Sequence, residues 1–131
     1  MTVVVGYIPT PEGEAALSHA IEEAQKRGTR LVVVNSSKGD ALVDPRYALD
    51  DQVDKLRSTL EAAAVEHEVV QSVRGREAAE EVIDAVEQHR AELVVIGLRR
   101  RTAVGKLIMG STAQRILLGS PCPVLAVKAP H

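Results

Sequence analysis

Aromatic residues are almost missing from this sequence of 131 residues, which has two tyrosines and neither tryptophan nor phenylalanine. A protein that stacks nucleic-acid bases on aromatic side chains is therefore not expected. Cys122 is the single cysteine, which excludes disulfide frameworks and cysteine-based zinc or iron–sulfur sites. No apolar run approaches the roughly 18 residues of a membrane span, and the start lacks the basic region of a signal peptide. We expect one cytoplasmic domain over residues 1–131, with no membrane or nucleic-acid partner.

Charge is distributed unevenly along the chain, although the formal net charge is only −2. All 18 acidic residues lie within positions 1–92, and every charged residue after that point is basic. A wholly basic nucleic-acid-binding protein is not indicated. A basic carboxyl-terminal third favours a local anionic ligand, whereas acids placed only on exposed helix faces would give the same pattern. The charge distribution leaves both interpretations open.

Short apolar runs rich in β-branched residues alternate with stretches of helical spacing. Several runs are continuous, which is typical of strands buried on both faces of a parallel sheet. The runs cover residues 3–5, 31–34, 69–70, 93–96 and 124–127. The first helix is predicted to begin at Thr10 and Pro11 and to end before Gly28. The order β-α-β-α-β-α-β-α-β predicts an α/β fold, a doubly wound parallel sheet with right-handed crossovers.

The segment after the fourth strand has the residues that suit an anion. Gly97 ends the strand and permits close approach of the backbone. Gly110 and Ser111 open the last helix, where N–H groups and the helix dipole can hold a phosphate. Ser111 and Gln114 also have the spacing of a capping box, in which the serine would only cap its helix. Four basic residues lie between the two glycines, at Arg99, Arg100, Arg101 and Lys106.

Three anchors in the last third of the chain resemble the carboxyl-terminal half of a universal stress protein. They are Val-Val-Ile-Gly at 94–97, Gly-Ser-Thr at 110–112 and Pro-Cys-Pro-Val-Leu-Ala-Val at 121–127. Residues 3–17 and the turn at 73–75 fit the same family, so the resemblance covers nearly the whole chain. Family members that bind ATP have G-x2-G-x9-G-[ST] after the fourth strand. This chain has Gly97, Arg100 and Gly110-Ser111 in that frame, so an arginine replaces the second glycine.

The resemblance implies a Rossmann-like, three-layer sandwich with a five-stranded parallel sheet in the order 3-2-1-4-5. It also implies a site for ATP or another adenine nucleotide, with Mg²⁺ as a candidate companion. That strand order brings the loops after strands one and four together, with the end of strand two facing the base. The implied nucleotide contacts are Tyr7, Ile8, Asn35, Ile96, Gly97, Arg99, Arg100, Gly110, Ser111 and Thr112.

Two departures from the family pattern keep two functions open. Arg100 would either crowd the phosphate site or pair with phosphate oxygens. Ile8 stands where ATP-binding relatives have an aspartate that contacts the nucleoside, and it offers an apolar wall instead. One function is a stress-response switch, in which the nucleotide reshapes residues 36–46 or 98–109 and so changes a surface for unidentified protein partners. The other is a dimeric stress-response scaffold that needs no nucleotide.

The fifth strand is the expected dimer contact. In the implied order it lies at an edge of the sheet, and it is apolar without an internal charge. An edge of this kind invites pairing with another chain. Because universal stress proteins commonly dimerise through this strand, we expect a homodimer through Val124, Leu125 and Val127.

No combination of nucleophile, base and orienting group is visible, so the sequence does not predict an enzyme. Slow ATP hydrolysis, or autophosphorylation at Ser111 or Thr112, follows from the resemblance alone. Since no acid occurs after Glu92, a carboxylate for magnesium would have to come from residues 12–14 or 40–44.

Overall fold

The computed structural model describes residues 1–36, 45–71, 77–98 and 110–129. Strands and helices alternate through these ranges as the sequence pattern predicts. The elements are β1 (Thr2–Tyr7), α1 (Pro11–Arg27), β2 (Arg30–Asn35), α2 (Pro45–Ala62), β3 (His67–Gln71), α3 (Ala78–Gln88), β4 (Leu93–Leu98), α4 (Ser111–Gly119) and β5 (Val124–Lys128). Among the described helices, none has both the length and the apolarity needed to cross a membrane.

The five strands form one parallel sheet in the order β3-β2-β1-β4-β5. This confirms the order implied by the resemblance. β1 lies in the centre, where Val4 pairs with Val32 of β2 on one side and with Val94 of β4 on the other. Because the strands are parallel, all of their carboxyl ends meet at one edge of the sheet, which we call the carboxyl edge.

Alternate residues of the central strands are buried in two separate cores. Val3, Val5 and Tyr7 pack with α1 and α2 on one face of the sheet. Val4 packs with α3 and α4 on the other face. Helices therefore cover both faces, and the molecule is the expected three-layer sandwich. The continuous apolar runs of β1, β2 and β4 arise because these three strands have neighbours above and below.

The first helix begins and ends where the sequence predicts. The side chain of Thr10 accepts a hydrogen bond from the N–H of Gly13 at 3.1 Å, and Pro11 is the first helical residue. Gly28 closes the helix in the left-handed conformation, with φ of 62°. A side chain would be strained in that conformation, so glycine is the residue that allows a sharp turn into β2.

The last helix begins differently from the prediction. Gly110 is its N-cap residue, with extended ψ of 163°, and as a glycine it has no side chain with which to cap the helix. Ser111 is already helical, so the capping-box interpretation of Ser111 and Gln114 was wrong. The first backbone bond of the helix runs from the N–H of Gln114 to the carbonyl of Gly110 at 3.0 Å. The N–H groups before Gln114 precede that ladder, as in any α-helix.

The two edge strands of the sheet differ in chemistry. β3 has His67, Glu68 and Gln71 among its five residues, whereas β5 is apolar up to its final lysine. The side chains of Leu125 and Val127 pack into the core beneath α1. The outer side of β5 therefore presents mainly backbone, and its position at the edge agrees with the expected order.

Candidate functional site

A cleft of about 620 Å³ opens at the carboxyl edge of the sheet, between the ends of β1 and β4. Its walls come from those two strands, the loop after β1 and the starts of α1, α3 and α4. The strands on either side of this point are reached by crossovers in opposite directions, and open α/β sheets bind ligands at such a switch point. The volume lies within the range of small-molecule sites, roughly 300–1,000 Å³.

The floor of the cleft is apolar. Val82, Ile96 and Ile116 line it, and each is at least 96% buried in the core behind. Ile8 adds an apolar side chain from the loop after β1. Gly6 lies between them, and a Cβ there would stand 3.3 Å from Val82 Cγ2. The missing side chain at Gly6 lets Val82 and Ile96 pack directly against the backbone of β1, which completes the apolar floor.

Two glycines bring the cleft's walls into direct backbone contact. A Cβ at Gly13 would lie 1.8 Å from the carbonyl oxygen of Ile8, and one at Gly97 would lie 2.3 Å from that of Glu12. The Ile8 carbonyl also accepts a hydrogen bond from the N–H of Thr10 at 2.8 Å. The loop after β1, the first turn of α1 and the end of β4 are consequently packed as one wall, with no space for side chains at either glycine.

The start of α4 forms the polar side of the cleft. Gly110, Ser111 and Thr112 line it and are exposed. A Cβ at Gly110 would meet no described atom within 4 Å. Its N-cap residue, Gly110, has no side chain to bond the first N–H groups, and these groups and the positive end of the helix dipole lie at the border of the cleft. Such a helix start is suited to hold an anion.

Charged side chains form the rim of the cleft. Glu12, Glu77 and Arg115 line it. Arg115 lies about one turn after Ser111 and forms ion pairs with Glu77 and, at 3.5 Å, with Glu80. These contacts join the start of α3 to α4 across the rim. Among the described lining residues, carboxylates thus outnumber cations by two to one.

Tyr7 and Asn35 do not line the cleft. The Tyr7 side chain turns to the opposite face of the sheet and donates a 2.5 Å hydrogen bond to Glu14 of α1. Burial of the ring, reinforced by this hydrogen bond and the Glu14 charge, raises the pKa of the Tyr7 hydroxyl well above its ordinary value. Asn35 is only 1% exposed. Ser36 lines the cleft in its place, with its N–H bonded to the Tyr7 carbonyl at 3.1 Å.

The remaining residues of the predicted site divide into two groups. The structure brings together Ile8, Ile96, Gly97, Gly110, Ser111 and Thr112 around the cleft. Arg99 and Arg100 lie outside the described residues. So do nearly all of the two segments expected to respond to a ligand, residues 36–46 and 98–109.

Comparison with known proteins decides the family. Residues 1–128 match the Universal stress protein family. The chain belongs to the universal stress protein family. A universal stress protein of Mycolicibacterium smegmatis is 50% identical over 129 residues, which cover 98% of each protein.

Solved structures of universal stress proteins from Archaeoglobus fulgidus agree with this membership. One is 30% identical, covers 98% of both chains and has a TM-score of 0.80. Another, a universal stress protein in complex with dAMP, is 27% identical, with a TM-score of 0.76 and 98% coverage of both chains. The shared Rossmann-like fold confirms the α/β architecture predicted from the sequence.

Several lining residues were missed by sequence reasoning, above all Glu77 and Arg115. Arg115 could have been found, because it is four residues after Ser111 and neighbours of that spacing share one helix face. Glu77 follows β3, and only the folded sheet places the start of α3 beside the start of α4. No spacing in the sequence indicates that Glu77 belongs to the site.

Proposed function

We propose that this member of the universal stress protein family binds an adenine nucleotide in the cleft and acts as a cytoplasmic stress-response switch. The observation that carries the proposal is the start of α4, whose N-cap residue is a glycine and which borders an apolar cleft at the switch point of the sheet. The complex of the Archaeoglobus fulgidus relative with dAMP supports an adenine nucleotide as the ligand class.

The cleft offers different surfaces to the two ends of such a ligand. The apolar side chains of Ile8, Val82 and Ile96 suit the base and sugar. The N–H groups of Ser111 and Thr112 suit the phosphate, because hydrogen bonds to an ionised acceptor are roughly twice as strong as neutral ones. ATP is the nucleotide we propose for the switch. If Mg²⁺ accompanies it, Glu12 and Glu77 supply the carboxylates among the described lining residues.

A nucleotide-independent scaffold is the second candidate. It is favoured by Ile8, which gives the cleft an apolar wall, and by Arg115, which is already paired with two carboxylates. In this case the cleft would be a remnant, and the function would reside in surfaces that contact other proteins.

Released nucleotide distinguishes the two candidates. The purified protein is denatured, its supernatant is chromatographed for nucleotides, and the protein is then titrated with ATP, ADP and AMP in a calorimeter. We expect about one adenine nucleotide per chain, or a measurable heat, and loss of binding in Gly110→Val. Because a Cβ at Gly110 meets no described atom, this variant should keep its fold. Ser18→Val, on the exposed side of α1, is the control and should bind normally.

The outcome that contradicts nucleotide binding is an empty protein with no heat up to millimolar concentrations of all three nucleotides. Retained binding in Gly110→Val would contradict the assignment of the phosphate to the start of α4. The first result would favour the scaffold.

We also propose that two copies pair through β5. The N–H of Val94 donates to the carbonyl of Pro123 at 3.1 Å. Backbone groups alternate in direction along a strand, so the N–H of Ala126 faces outward. Ala126→Pro would remove that donor while keeping the bonds to β4, and proline is tolerated on outward-facing edge positions.

Sedimentation tests the pairing. We expect a dimer that becomes a monomer in Ala126→Pro. Val69→Pro is the matched control, because Glu66 accepts from Leu31 at 2.9 Å and the N–H of Val69 then faces outward on the opposite edge. A wild-type monomer, or equal effects of the two prolines, would contradict pairing through β5.

A further inference from the structure

The rim of the cleft contains an ion-pair cluster that the phosphate site does not require. Arg115 of α4 contacts Glu77 and Glu80, which flank the start of α3. Glu77 and Arg115 line the cleft, whereas Glu80 does not. The side chains of Glu77 and Arg115 are 63% and 48% exposed. Both are therefore within reach of solvent and of a ligand.

Pairing of this kind occupies a cation that would otherwise attract phosphate. Arg115 is the one basic side chain among the described lining residues. A guanidinium can hold a carboxylate or a phosphate through the same N–H groups. A phosphate near the start of α4 would therefore compete with Glu77 for Arg115, and it would also experience the negative charge of Glu77 itself.

We propose that Glu77 is a specificity-determining residue of the cleft, which disfavours nucleotides with several phosphates by holding Arg115 and by repelling added negative charge. This inference rests on the proposed function, because it concerns the ligands of the same cleft. Without a divalent cation, the cleft therefore favours a nucleotide with little phosphate charge, such as a nucleoside monophosphate. Mg²⁺ bound with ATP would offset the repulsion, which keeps the inference compatible with the ATP proposed above.

Coulombic repulsion makes the effect depend on the number of phosphates. AMP and ATP present the same adenosine but differ by about two negative charges. Removing one negative charge at the rim therefore raises the affinity for ATP more than the affinity for AMP, and it leaves the affinity for uncharged adenosine unchanged. For partly solvated charges at such separations, we expect the ratio of ATP affinity to AMP affinity to rise about three- to tenfold. If Glu77 had a purely structural role, its replacement would change the affinities for all of the ligands by the same factor.

The experiment titrates the full chain with adenosine, AMP, ADP and ATP in EDTA, so that no divalent cation neutralises the phosphates. Wild type is compared with Glu77→Gln, Arg115→Gln and the control Glu87→Gln. Glu87 is an exposed acid on the same helix, about 15 Å along its axis from Glu77. Glu87→Gln therefore makes the same change in net charge away from the cleft.

We expect Glu77→Gln to raise the ATP-to-AMP ratio, Arg115→Gln to lower it, and Glu87→Gln to leave it near the wild-type value. At 1 M salt the Debye length is about 3 Å, so the shift in Glu77→Gln should largely disappear. Glu77→Gln in the Arg115→Gln background isolates the direct repulsion, since the arginine is then absent.

The outcomes distinguish the inference about Glu77 from the proposed function. If wild type binds nucleotides but the ATP-to-AMP ratio is equal in Glu77→Gln and Glu87→Gln, the inference about Glu77 is overturned and the proposed function stands. An equal gain for adenosine and ATP overturns it as well. If only Glu77→Gln binds, the proposed function of the wild type fails and the inference is supported. If neither binds any ligand, both are wrong.

Discussion

The helices α1 and α4 both begin at the carboxyl edge of the sheet, next to the same cleft, yet their starts are built differently. α1 has a threonine cap at Thr10, a proline at its first position and a glycine packed against a carbonyl. α4 begins after Gly110, which has no side chain to cap the helix, and a Cβ on that glycine would meet no described atom within 4 Å. The Thr10 side chain bonds an N–H group at the start of α1, whereas the start of α4 can accept a ligand. Position at the carboxyl edge alone does not make a binding site.

The largest difference in stability is expected between alanine substitutions at Gly13 and at Gly110. Gly13→Ala would place a Cβ 1.8 Å from the Ile8 carbonyl oxygen. Because that neighbour is backbone, the loop after β1 must move, and we expect a loss of about 3 kcal/mol or more in the free energy of unfolding. Gly110→Ala should cost less than about 1 kcal/mol, since its Cβ meets no described atom. Urea unfolding measures both, and equal losses would show that the two starts are alike.

Gly97→Ala has the next largest expected effect, a loss of about 2 kcal/mol in the free energy of unfolding. Its Cβ would lie 2.3 Å from the Glu12 carbonyl oxygen, at the point where β4 touches the start of α1. The first turn of α1 would have to shift, so nucleotide affinity should fall together with stability. Urea unfolding and calorimetry on the same preparation test this link. Full stability in Gly97→Ala would mean that the contact is easily relieved.

Tyr7→Phe should cost about 1–2 kcal/mol near neutral pH, because Tyr7 donates a hydrogen bond to a carboxylate in the first turn of α1. The pKa of Tyr7 is raised by folding. Its stabilising contribution is therefore complete below about pH 10, the ordinary tyrosine pKa, and is lost as the pH rises beyond it. The difference between wild type and Tyr7→Phe in urea should shrink above that pH. A constant difference would contradict the raised pKa.

The smallest expected difference in stability is between alanine substitutions at Thr10 and at Ser111. Thr10→Ala removes the cap of α1 and should cost about 1 kcal/mol. Ser111→Ala removes no capping bond, so its effect on unfolding should be under about 0.5 kcal/mol. Nucleotide affinity should change little in either variant, because the N–H groups proposed to hold the phosphate remain. Thermal unfolding and nucleotide titration of both variants provide the comparison. A larger stability loss for Ser111→Ala would restore the capping interpretation.

The sequence predicts most of the fold because the relevant signals are local. Continuous apolar runs identified the buried strands, and Thr10, Pro11 and Gly28 marked the ends of α1. The order of the strands is not a local property, since strict alternation is compatible with several orders. That order came from the resemblance to a family. The part of the site that was predicted also came from that resemblance.

Two errors at the site have a common physical origin. Ser111 was taken as a possible cap because S-x-x-Q spacing does not specify which residue is the last extended one, and the backbone of Gly110 decided it. The resemblance implied Tyr7 as a nucleotide contact, but its side chain does not line the cleft. Consecutive residues of a strand face opposite sides, and Tyr7 faces α1 while Gly6 faces the cleft. The partnership of Glu77 with Arg115 depends on two helices meeting, which no spacing reveals.

The central place of β1 also has a consequence for synthesis. β1 is synthesised well before its neighbour β4, which begins about 86 residues after β1 ends. At about 5–20 residues per second, one side of β1 stays without its partner strand for roughly 4–17 s. The cleft needs β1, β4 and the start of α4, so it is among the last features to be completed. A nascent chain therefore gains nothing from a ligand of this cleft until most of its length has left the ribosome.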